Sequence, residues 1–229
     1  MVQIELYSAT SCPYAQRTRL LLSEKGIEHI LHEVDLDAKP AWFDRISPYS
    51  KVPVLKQGNV VIWESSIINE YIEELFPDPP LMPLDPARRA HARFWIDFCN
   101  VRFTPTWYKL LLAQDAQERA SLTARLRDHF LFMEHQGIAA LGGGPHLMGS
   151  EMSLVDITFY PWFERLPVMA HYRNFRIPDE CRLLRRWARR MSQRQSVRES
   201  AHPAEFYILR NARYADGTAV GTTAIDMRQ

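Results

Sequence analysis

Five prolines fall in the ten residues from Pro77 to Pro86, and this stretch constrains the fold of the chain more than any other. Proline lacks a backbone N–H and fixes φ, so neither a helix nor an inner strand can run through the stretch. The residues before it change hydrophobic period several times, whereas those after it are helical in period almost throughout. The sequence therefore predicts a domain boundary, with a Pro-rich linker at 78–86.

Four strand-like and three helix-like segments precede the linker. Apolar and polar residues alternate from Val2 to Tyr7, and a helix follows that opens at Cys12 and ends at Lys25-Gly26. The remaining segments are a strand at 29–34, a short helix at 41–46, strands at 52–55 and 60–62, and a helix at 67–76. This β-α-β-α-β-β-α order predicts a sheet of mixed strand direction covered by helices, which is a thioredoxin-like domain at 1–77.

The residues after the linker predict an all-helical domain at 87–210. Apolar periodicity indicates helices at 87–113, with a kink or break at Pro105, and at 116–141, 157–166 and 181–191. Ser153-Leu154-Val155-Asp156 has the spacing of a capping box that starts the third of these helices. Residues 211–229 are rich in Gly, Thr and Ala, so a mobile tail is expected there. The predicted fold class is α/β plus all-α, a thioredoxin-like domain followed by an all-helical domain.

Composition narrows the classes of partner. Lys and Arg number 28 and Asp and Glu 27, so a net charge of +1 predicts no nucleic-acid or membrane partner and favours a small molecule. Three cysteines spread along the chain are no disulfide framework and fit a reducing cytoplasm. The first residues lack the pattern of a leader and no apolar run reaches the length of a membrane span, so a soluble, non-exported protein is expected.

Two further groups of ionisable residues give little or no indication of a binding site. His29 and His32 are three apart, but on a strand they would point to opposite faces, so no metal site is predicted. Five arginines between Arg182 and Arg190 surround apolar residues at helical spacing. This run is a candidate for an acidic partner, although a charged face opposite an apolar stripe is usually only solvated.

The strongest chemical signal is Cys12, which falls at the N-cap of the first predicted helix because Pro13 suits the first helical position. A sulfur there faces the unpaired N–H groups of the first turn and the positive end of the helix dipole, which favour thiolate over thiol. Position 15 is Ala, so there is no C-x-x-C pair and a second thiol must come from solution. On these residues alone, a half-buried structural cysteine is an equal alternative.

Five motifs occur along the chain in a fixed order. They are Cys12-Pro13-Tyr14-Ala15-Gln16-Arg17, Lys39-Pro40-Ala41-Trp42-Phe43, Lys51-Val52-Pro53-Val54-Leu55, Trp63-Glu64-Ser65-Ser66-Ile67-Ile68 and Ser153-Leu154-Val155-Asp156. Together they resemble the glutathione S-transferases, and the cysteine-type, omega-like branch is the most similar. Pro83-Leu84 and the arginine-rich end also resemble stringent starvation protein A, a transferase-like fold that binds RNA polymerase. A non-catalytic interaction protein is therefore the alternative to an enzyme.

The resemblance implies a glutathione site on the thioredoxin-like domain. Ser65 and adjacent backbone N–H groups at a helix start would hold the γ-glutamyl carboxylate, and Glu64 would take the α-ammonium. Lys39 would pair with the glycine carboxylate of glutathione. The alternatives are an ordinary N-cap for Ser65 and a solvent-exposed side chain for Lys39.

The resemblance also places the reacting sulfur. Val52-Pro53 matches the cis-proline position of thioredoxin-like folds, where the Val52 backbone would pair with the cysteinyl backbone of glutathione and bring its sulfur to Cys12. Most members of the family use a Tyr or Ser hydroxyl there, and Tyr7 leaves a Tyr-type enzyme open. A cysteine favours mixed-disulfide chemistry over conjugation. A thioltransferase or dehydroascorbate-reductase type of enzyme is therefore implied, in which Cys12 attacks a glutathionylated substrate.

The other substrate is expected to be a small electrophilic or disulfide-bearing acceptor, bound in a cleft between the two domains. Candidate pocket residues are Tyr14, Phe103, Trp107 and Tyr108, with core packing as the alternative for the last three. Glutathione is expected as the co-substrate without any metal. The resemblance further implies a homodimer.

Overall fold

The computed structural model describes residues 3–228 and divides the chain into two compact units between Leu81 and Met82. This division falls inside the linker that the prolines predict. Within the described residues, no helix combines the length and the apolar character needed to cross a bilayer.

The first unit has the predicted thioredoxin-like order. Its elements are β1 (Ile4–Ser8), α1 (Pro13–Glu24), β2 (His29–Glu33), a 3₁₀ turn (Phe43–Arg45), β3 (Val54–Gln57), β4 (Val60–Trp63) and α2 (Ser65–Leu75). The sheet order is β2-β1-β3-β4, with β1 parallel to β2 and antiparallel to β3, and β3 antiparallel to β4. The mixed sheet is therefore confirmed. The helix predicted at 41–46 is shorter than expected, and Val2 of the first predicted strand lies outside the described residues.

The core of this unit lies between the sheet and its helices. Leu6 of β1 and Leu55 of β3 are register partners, and both side chains are fully buried. Leu21 of α1 and Ile72 of α2 are also fully buried. Each such side chain contributes about 2 kcal/mol by leaving water. This packing fixes the ends of β1 and β3, from which the loops of the candidate site depart.

The second unit is all-helical, as predicted. Its elements are α3 (Pro86–Phe98), a π-helical turn (Cys99–Phe103), α4 (Thr104–Leu112), α5 (Ala116–Phe132), a second π-helical segment (Met133–Ala139), α6 (Leu154–Glu164), α7 (Leu166–Arg173), α8 (Arg182–Met191), α9 (Gln195–Ser200), α10 (Ala204–Arg210), α11 (Ala212–Ala215) and α12 (Thr222–Arg228). The predicted break near Pro105 is confirmed, because the first π-helical turn interrupts the long helix just before it.

The predicted capping box at the start of α6 is confirmed, and its carboxylate does more than cap. Asp156 accepts hydrogen bonds from the Ser153 N–H at 2.8 Å and the Ser153 hydroxyl at 2.9 Å. Its other oxygen accepts from the Leu147 N–H at 2.9 Å and the Trp187 indole N–H at 2.7 Å. The fully buried carboxylate thus joins the preceding loop and α8 to the start of α6.

The segment expected to be a mobile tail is folded in the structure. α11 and α12 pack against α4, where Leu112, Ala219 and Ala224 form a small apolar cluster. The guanidinium of Arg173 donates to the carbonyls of Leu110, Leu111, Ala113 and Ala215, so it satisfies the C-terminal end of α4 and joins α11 to it. The composition of 211–229 did not reveal these partners. Gln229 lies outside the described residues.

A buried lysine holds the chain as it leaves α2. The Lys25 side chain is fully buried, and its ammonium lies 2.7 Å from each of the Glu73 carboxylate, the Phe76 carbonyl and the Pro79 carbonyl. The other oxygen of Glu73 accepts the Leu81 N–H at 2.8 Å. A buried ammonium is tolerated only when it is paired and hydrogen-bonded, and Lys25 meets both conditions.

Lys25→Met should destabilise the protein strongly, because it leaves the Glu73 carboxylate buried without its ammonium partner. Breaking a buried pair in this way costs about 3–5 kcal/mol, so the free energy of unfolding measured with urea should fall by about 3 kcal/mol. Lys25→Met combined with Glu73→Met should recover part of the loss, since no charge then stays buried.

Lys56→Met is the matched control, because it removes a lysine whose pair with Glu5 is about one-third exposed. It should cost much less, since solvent screens an exposed pair. Equal losses for the two lysine variants would contradict the role given to Lys25.

Candidate active site

The structure places Cys12 where the sequence predicts it, at the N-cap of α1 and directly before Pro13. Its backbone is extended, with φ −80° and ψ 120°, and its N–H donates to the Ala9 carbonyl at 3.0 Å. The side chain is half-buried, and Sγ lies 3.8 Å from the Val52 carbonyl oxygen, within reach for the thiol to donate. The Val52–Pro53 peptide bond is cis, as the family resemblance implied.

The other two cysteines lack this setting. Cys99 is fully buried, and its sulfur lies 3.7 Å from the Thr104 hydroxyl. Cys181 is also fully buried, and burial together with the Glu134 and Glu180 carboxylates raises the pKa of its thiol to about 11. A thiol with such a pKa is protonated at neutral pH and does not act as a nucleophile. Of the three cysteines, Cys12 is therefore the one that is not buried.

Ser65 is the first residue of α2, and a buried arginine donates a hydrogen bond to its hydroxyl. The Ser65 side chain is largely buried, and its hydroxyl oxygen accepts a hydrogen bond of 3.1 Å from Arg17 of α1. Because a serine hydroxyl accepts two hydrogen bonds and donates one, its proton stays available for an anion at the helix start. Arg17, only 1% exposed, adds positive charge behind the same position.

Glu64 precedes this helix in a strained backbone conformation. Its φ is +64°, which is uncommon for a residue with a side chain, and its side chain is exposed. Such strain is found where the surrounding structure holds a functional group in place. The Glu64 side chain is thus accessible, and its role towards a ligand ammonium stays a prediction from the resemblance.

Lys39 is tied to a loop next to Val52. Its ammonium donates to the Ser50 carbonyl at 2.6 Å and lies 3.4 Å from the Ser50 hydroxyl. Ser50 itself has a φ of +50°. The lysine is therefore not simply solvated, and it must share or exchange the Ser50 carbonyl to meet a ligand carboxylate.

A chain of contacts connects most of the predicted site residues. Lys39 binds the loop that carries Val52, the Val52 carbonyl lies beside the Cys12 thiol, and α1 then connects Cys12 to Arg17 and Ser65. The unit thus presents a thiol, a backbone strand edge, an ammonium, a carboxylate and a helix start within connected segments. This set of groups suits a thiol peptide that carries charges at both ends.

The Tyr-type alternative is not favoured by the surroundings of Tyr7. Its hydroxyl donates to the Glu5 carboxylate at 3.3 Å, and its ring stacks on His32 with centroids 4.4 Å apart. Burial, followed by the charge of Glu5, raises the pKa of Tyr7. The hydroxyl is thus engaged on the sheet and held in its neutral form.

Three of the four candidate acceptor residues belong to the aromatic interior of the helical unit. Phe103 is fully buried with ring centroids 5.5 Å from Phe159 and 5.4 Å from Phe130, which favours the core-packing alternative for it. Trp107 is 1% exposed and packs on Tyr108, and within the described residues its indole N–H has no hydrogen-bond partner. Tyr14 of the first unit is half-buried beside the Arg17 guanidinium, 5.2 Å from its ring centroid. The acceptor pocket stays a prediction.

The two strand histidines go to different partners, as their spacing predicts. A ring nitrogen of His29 lies 3.0 Å from the Ile27 carbonyl, and one of His32 lies 2.9 Å from the Glu5 carboxylate. Across residues 3–228 no group of three potential metal ligands comes together.

Arg17 is the residue that the sequence analysis missed. It lies four positions before Leu21 and therefore on the apolar face of α1, where a charged residue is unusual. That placement was the available signal for a buried role. Its partner Ser65, 48 residues further along, is visible only in the fold.

This fold and site define a class, the proteins that join a thioredoxin-like domain to an all-helical one. The Glutathione S-transferase, N-terminal domain, family model matches residues 11–75, and the Glutathione S-transferase, C-terminal domain, model matches residues 116–190. The chain belongs to the glutathione S-transferase family, as its motifs indicate.

Individual relatives agree with this assignment. Glutathione S-transferase omega-2 of Rattus norvegicus is 33% identical over 202 residues, which are 85% of this chain and 77% of the rat protein. Glutathione S-transferase U22 of Arabidopsis thaliana is 32% identical over 198 residues, 84% of this chain and 87% of that protein. The crystal structure of glutathione transferase Omega 3C from Trametes versicolor gives a TM-score of 0.82 at 30% identity, covering 93% of this chain and 90% of that chain. By class the protein is a glutathione transferase enzyme.

If Glu64 and Lys39 bind the charged ends of glutathione as the resemblance implies, Glu64→Ala and Lys39→Ala should each weaken glutathione binding through the loss of a charged hydrogen bond. Such bonds contribute about 1.5–3 kcal/mol, so calorimetric Kd values should rise about 10- to 150-fold. Glu28→Ala and Lys109→Ala are matched controls, since they remove the same charges from exposed positions. Unchanged Kd values for Glu64→Ala and Lys39→Ala would argue against these two assignments.

Proposed function

We propose that the protein is a glutathione-dependent thioltransferase in which Cys12 is the nucleophile. The observation that carries the proposal is the position of the half-buried Cys12, at the start of α1 and with its sulfur 3.8 Å from the Val52 carbonyl. The unpaired N–H groups of a first helical turn and the helix dipole stabilise a thiolate at this position. Omega-class proteins among the relatives support the same type of enzyme.

The reaction has two exchange steps. The Cys12 thiolate attacks the glutathionyl sulfur of a mixed disulfide R–S–SG, so that a new S–S bond joins Cys12 to glutathione. The S–S bond of the substrate breaks, and its electron pair leaves on R–S⁻, which takes up a proton. The thiolate of free glutathione then attacks the glutathionyl sulfur of that disulfide, which restores the Cys12 thiolate and releases oxidised glutathione. Overall, one mixed disulfide and one glutathione give one thiol and one oxidised glutathione.

The glutathionyl group is held by the groups that line the site. The Val52 backbone pairs with the cysteinyl backbone, Ser65 and the start of α2 take the γ-glutamyl carboxylate, Glu64 takes the ammonium, and Lys39 takes the glycine carboxylate. Pro53 follows Val52 through a cis peptide bond. The position of Ser65 over Arg17 supports an anion at that place.

Oligomeric state and location belong to the same proposal. We infer a homodimer, and exposed apolar side chains on the helical unit support it, namely Phe94 at 50%, Val101 at 53% and Phe132 at 37% exposure. Cys12, Cys99 and Cys181 are thiols rather than disulfides, which supports a reducing cytoplasm.

The purified protein should reduce the mixed disulfide that forms between glutathione and hydroxyethyl disulfide. The rate is measured by coupling the production of oxidised glutathione to glutathione reductase. Cys12→Ala should abolish this activity, because the attacking thiolate is lost, while Cys99→Ala should retain it as a matched control.

Conjugation of chlorodinitrobenzene should be slow in the wild type and rise in Cys12→Ser, which supplies a hydroxyl to stabilise the glutathione thiolate.

One combined result would overturn the proposed thioltransferase function. A wild-type protein that neither binds glutathione nor turns over any disulfide or glutathionyl substrate, yet co-purifies with a stoichiometric protein partner, would favour the interaction-protein alternative over the enzyme.

The Cys12 thiol should titrate with a midpoint below the value of about 8.5 for an unperturbed thiol, because the start of α1 favours its charged form. The rate of iodoacetamide alkylation against pH, followed on the Cys12 peptide by mass spectrometry, measures this midpoint. A value at or above about 8.5 would remove the basis for a thiolate nucleophile.

A further inference from the structure

Arg19 of α1 reaches back along its helix to the loop that precedes Cys12. Its guanidinium donates to the Ser8 hydroxyl, to the Ala9 carbonyl at 3.0 Å and to the Thr10 carbonyl at 3.2 Å. This direction follows from helix geometry, since side chains on a helix tilt towards its N-terminus. One planar group therefore engages three consecutive residues of the β1–α1 loop.

The same loop positions the thiol. The Ala9 carbonyl, one of the three acceptors of Arg19, also accepts the Cys12 N–H at 3.0 Å. Carbonyl oxygen carries two lone pairs, so both donors can be satisfied at once. Only two hydrogen bonds thus separate the Arg19 guanidinium from the Cys12 backbone, whose conformation decides where the sulfur points.

An acidic side chain holds the loop from its other side. The Thr10 N–H donates to the Glu33 carboxylate at the end of β2, with a distance of 2.6 Å. Ser8, the last residue of β1, and Ala9, the first residue of the loop, are almost completely buried, so their polar groups depend on protein partners rather than water. Losing a donor there leaves buried carbonyl oxygens with fewer partners than the native loop has.

The remaining charged groups near the site face elsewhere. Arg17 of α1 donates to Ser65, Lys39 donates to Ser50, and Glu5 of β1 pairs with His32 and Lys56. Arg19, in contrast, donates hydrogen bonds to the segment 8–10 itself. Lysine is a poor substitute for it, because an ammonium is a point charge and does not span three separated oxygen atoms as a guanidinium does.

We propose that Arg19 is a positioning residue for Cys12, fixing the 8–10 loop so that the sulfur is presented at the start of α1. The inference rests on the proposed function of Cys12 as the nucleophile. As a positioning residue, Arg19 does not touch the substrate. It acts by holding the Ala9 carbonyl, and through it the Cys12 N–H, in the geometry that keeps Cys12 at the start of α1 with its sulfur 3.8 Å from the Val52 carbonyl. Its positive charge on the same loop further favours the thiolate.

The test compares Arg19→Ala, Arg19→Lys and the matched control Arg45→Ala, which removes an equal charge from an exposed position of the same unit. For each protein the pH midpoint of Cys12 alkylation, the kcat and the KM for glutathione are measured. Arg19→Ala should raise the midpoint by about half a pH unit to one unit and lower kcat about 2- to 10-fold, with KM for glutathione little changed. Arg19→Lys should fall between Arg19→Ala and the wild type, and Arg45→Ala should match the wild type.

Chemical rescue separates positioning from general damage. Guanidinium chloride at about 20 mM, far below denaturing concentrations of the molar order, should restore part of the kcat of Arg19→Ala and leave Arg45→Ala unchanged. A folded Arg19→Ala with the wild-type midpoint and kcat would overturn the inference. If Arg19→Ala does not fold, Arg19→Lys decides, and a wild-type midpoint and kcat in that variant would overturn it equally.

Failure of the inference is distinguishable from failure of the proposed function. Alkylation needs no substrate, so the effect of Arg19 on Cys12 is measured whether or not the enzyme turns over. A wild-type midpoint at or above about 8.5 counts against the proposed nucleophile. A low wild-type midpoint that Arg19→Ala does not shift counts against Arg19 alone.

Discussion

The hydrogen bond from the Cys12 N–H to the Ala9 carbonyl, 3.0 Å long, closes the turn between β1 and α1, and the rest of the site is placed relative to it. On one side of this turn, the N–H of Val34, the residue after β2, donates to the carbonyl of Ser8 at the end of β1, with a distance of 2.7 Å. On the other side, Pro13 starts α1 with a φ that already suits a helix. The thiol is therefore fixed by a rigid strand end and a rigid helix start rather than by a flexible loop.

Two buried charged side chains, one on the helix that begins at this turn and one directly after it, connect α1 to other parts of the first unit. Arg17 supports Ser65 at the start of α2, and Lys25 at the other end of α1 binds Glu73 and the chain that leaves α2. Buried cations are costly unless oxygen atoms satisfy them, and both positions supply such oxygens. One helix thus presents the thiol, supports the anion position and holds the exit of the domain.

The three thiols show how position decides chemistry. Cys99 and Cys181 are closed off in the helical unit, and burial raises the pKa of Cys181 to about 11. Cys12 is only half-buried and lies at a helix start, a position that in general favours the charged form of a thiol. A cysteine in this place favours exchange with disulfides, whereas a hydroxyl would activate glutathione for conjugation. Under the proposed function, this one residue therefore decides the type of reaction within the family.

The sequence by itself determined what depends on near neighbours in the chain: the order of strands and helices in the first unit, the helical character of the second, the Pro-rich stretch between them, Cys12 as the N-cap of α1, and the capping box of Ser153 with Asp156. These features rest on contacts within about four residues, on helix and strand periods and on proline stereochemistry, all of which the sequence displays. The sequence did not predict α7 or the short helices from α9 to α12. Lys39, Val52, Glu64 and Ser65 came from resemblance to a family and not from spacing. Only the tertiary structure decided that Arg17 supports Ser65, that Asp156 also binds Trp187, and that residues 212–228 fold onto α4. Those partners lie tens of residues apart, so they meet only when burial of apolar surface brings distant segments together and forces each buried polar group to find a partner.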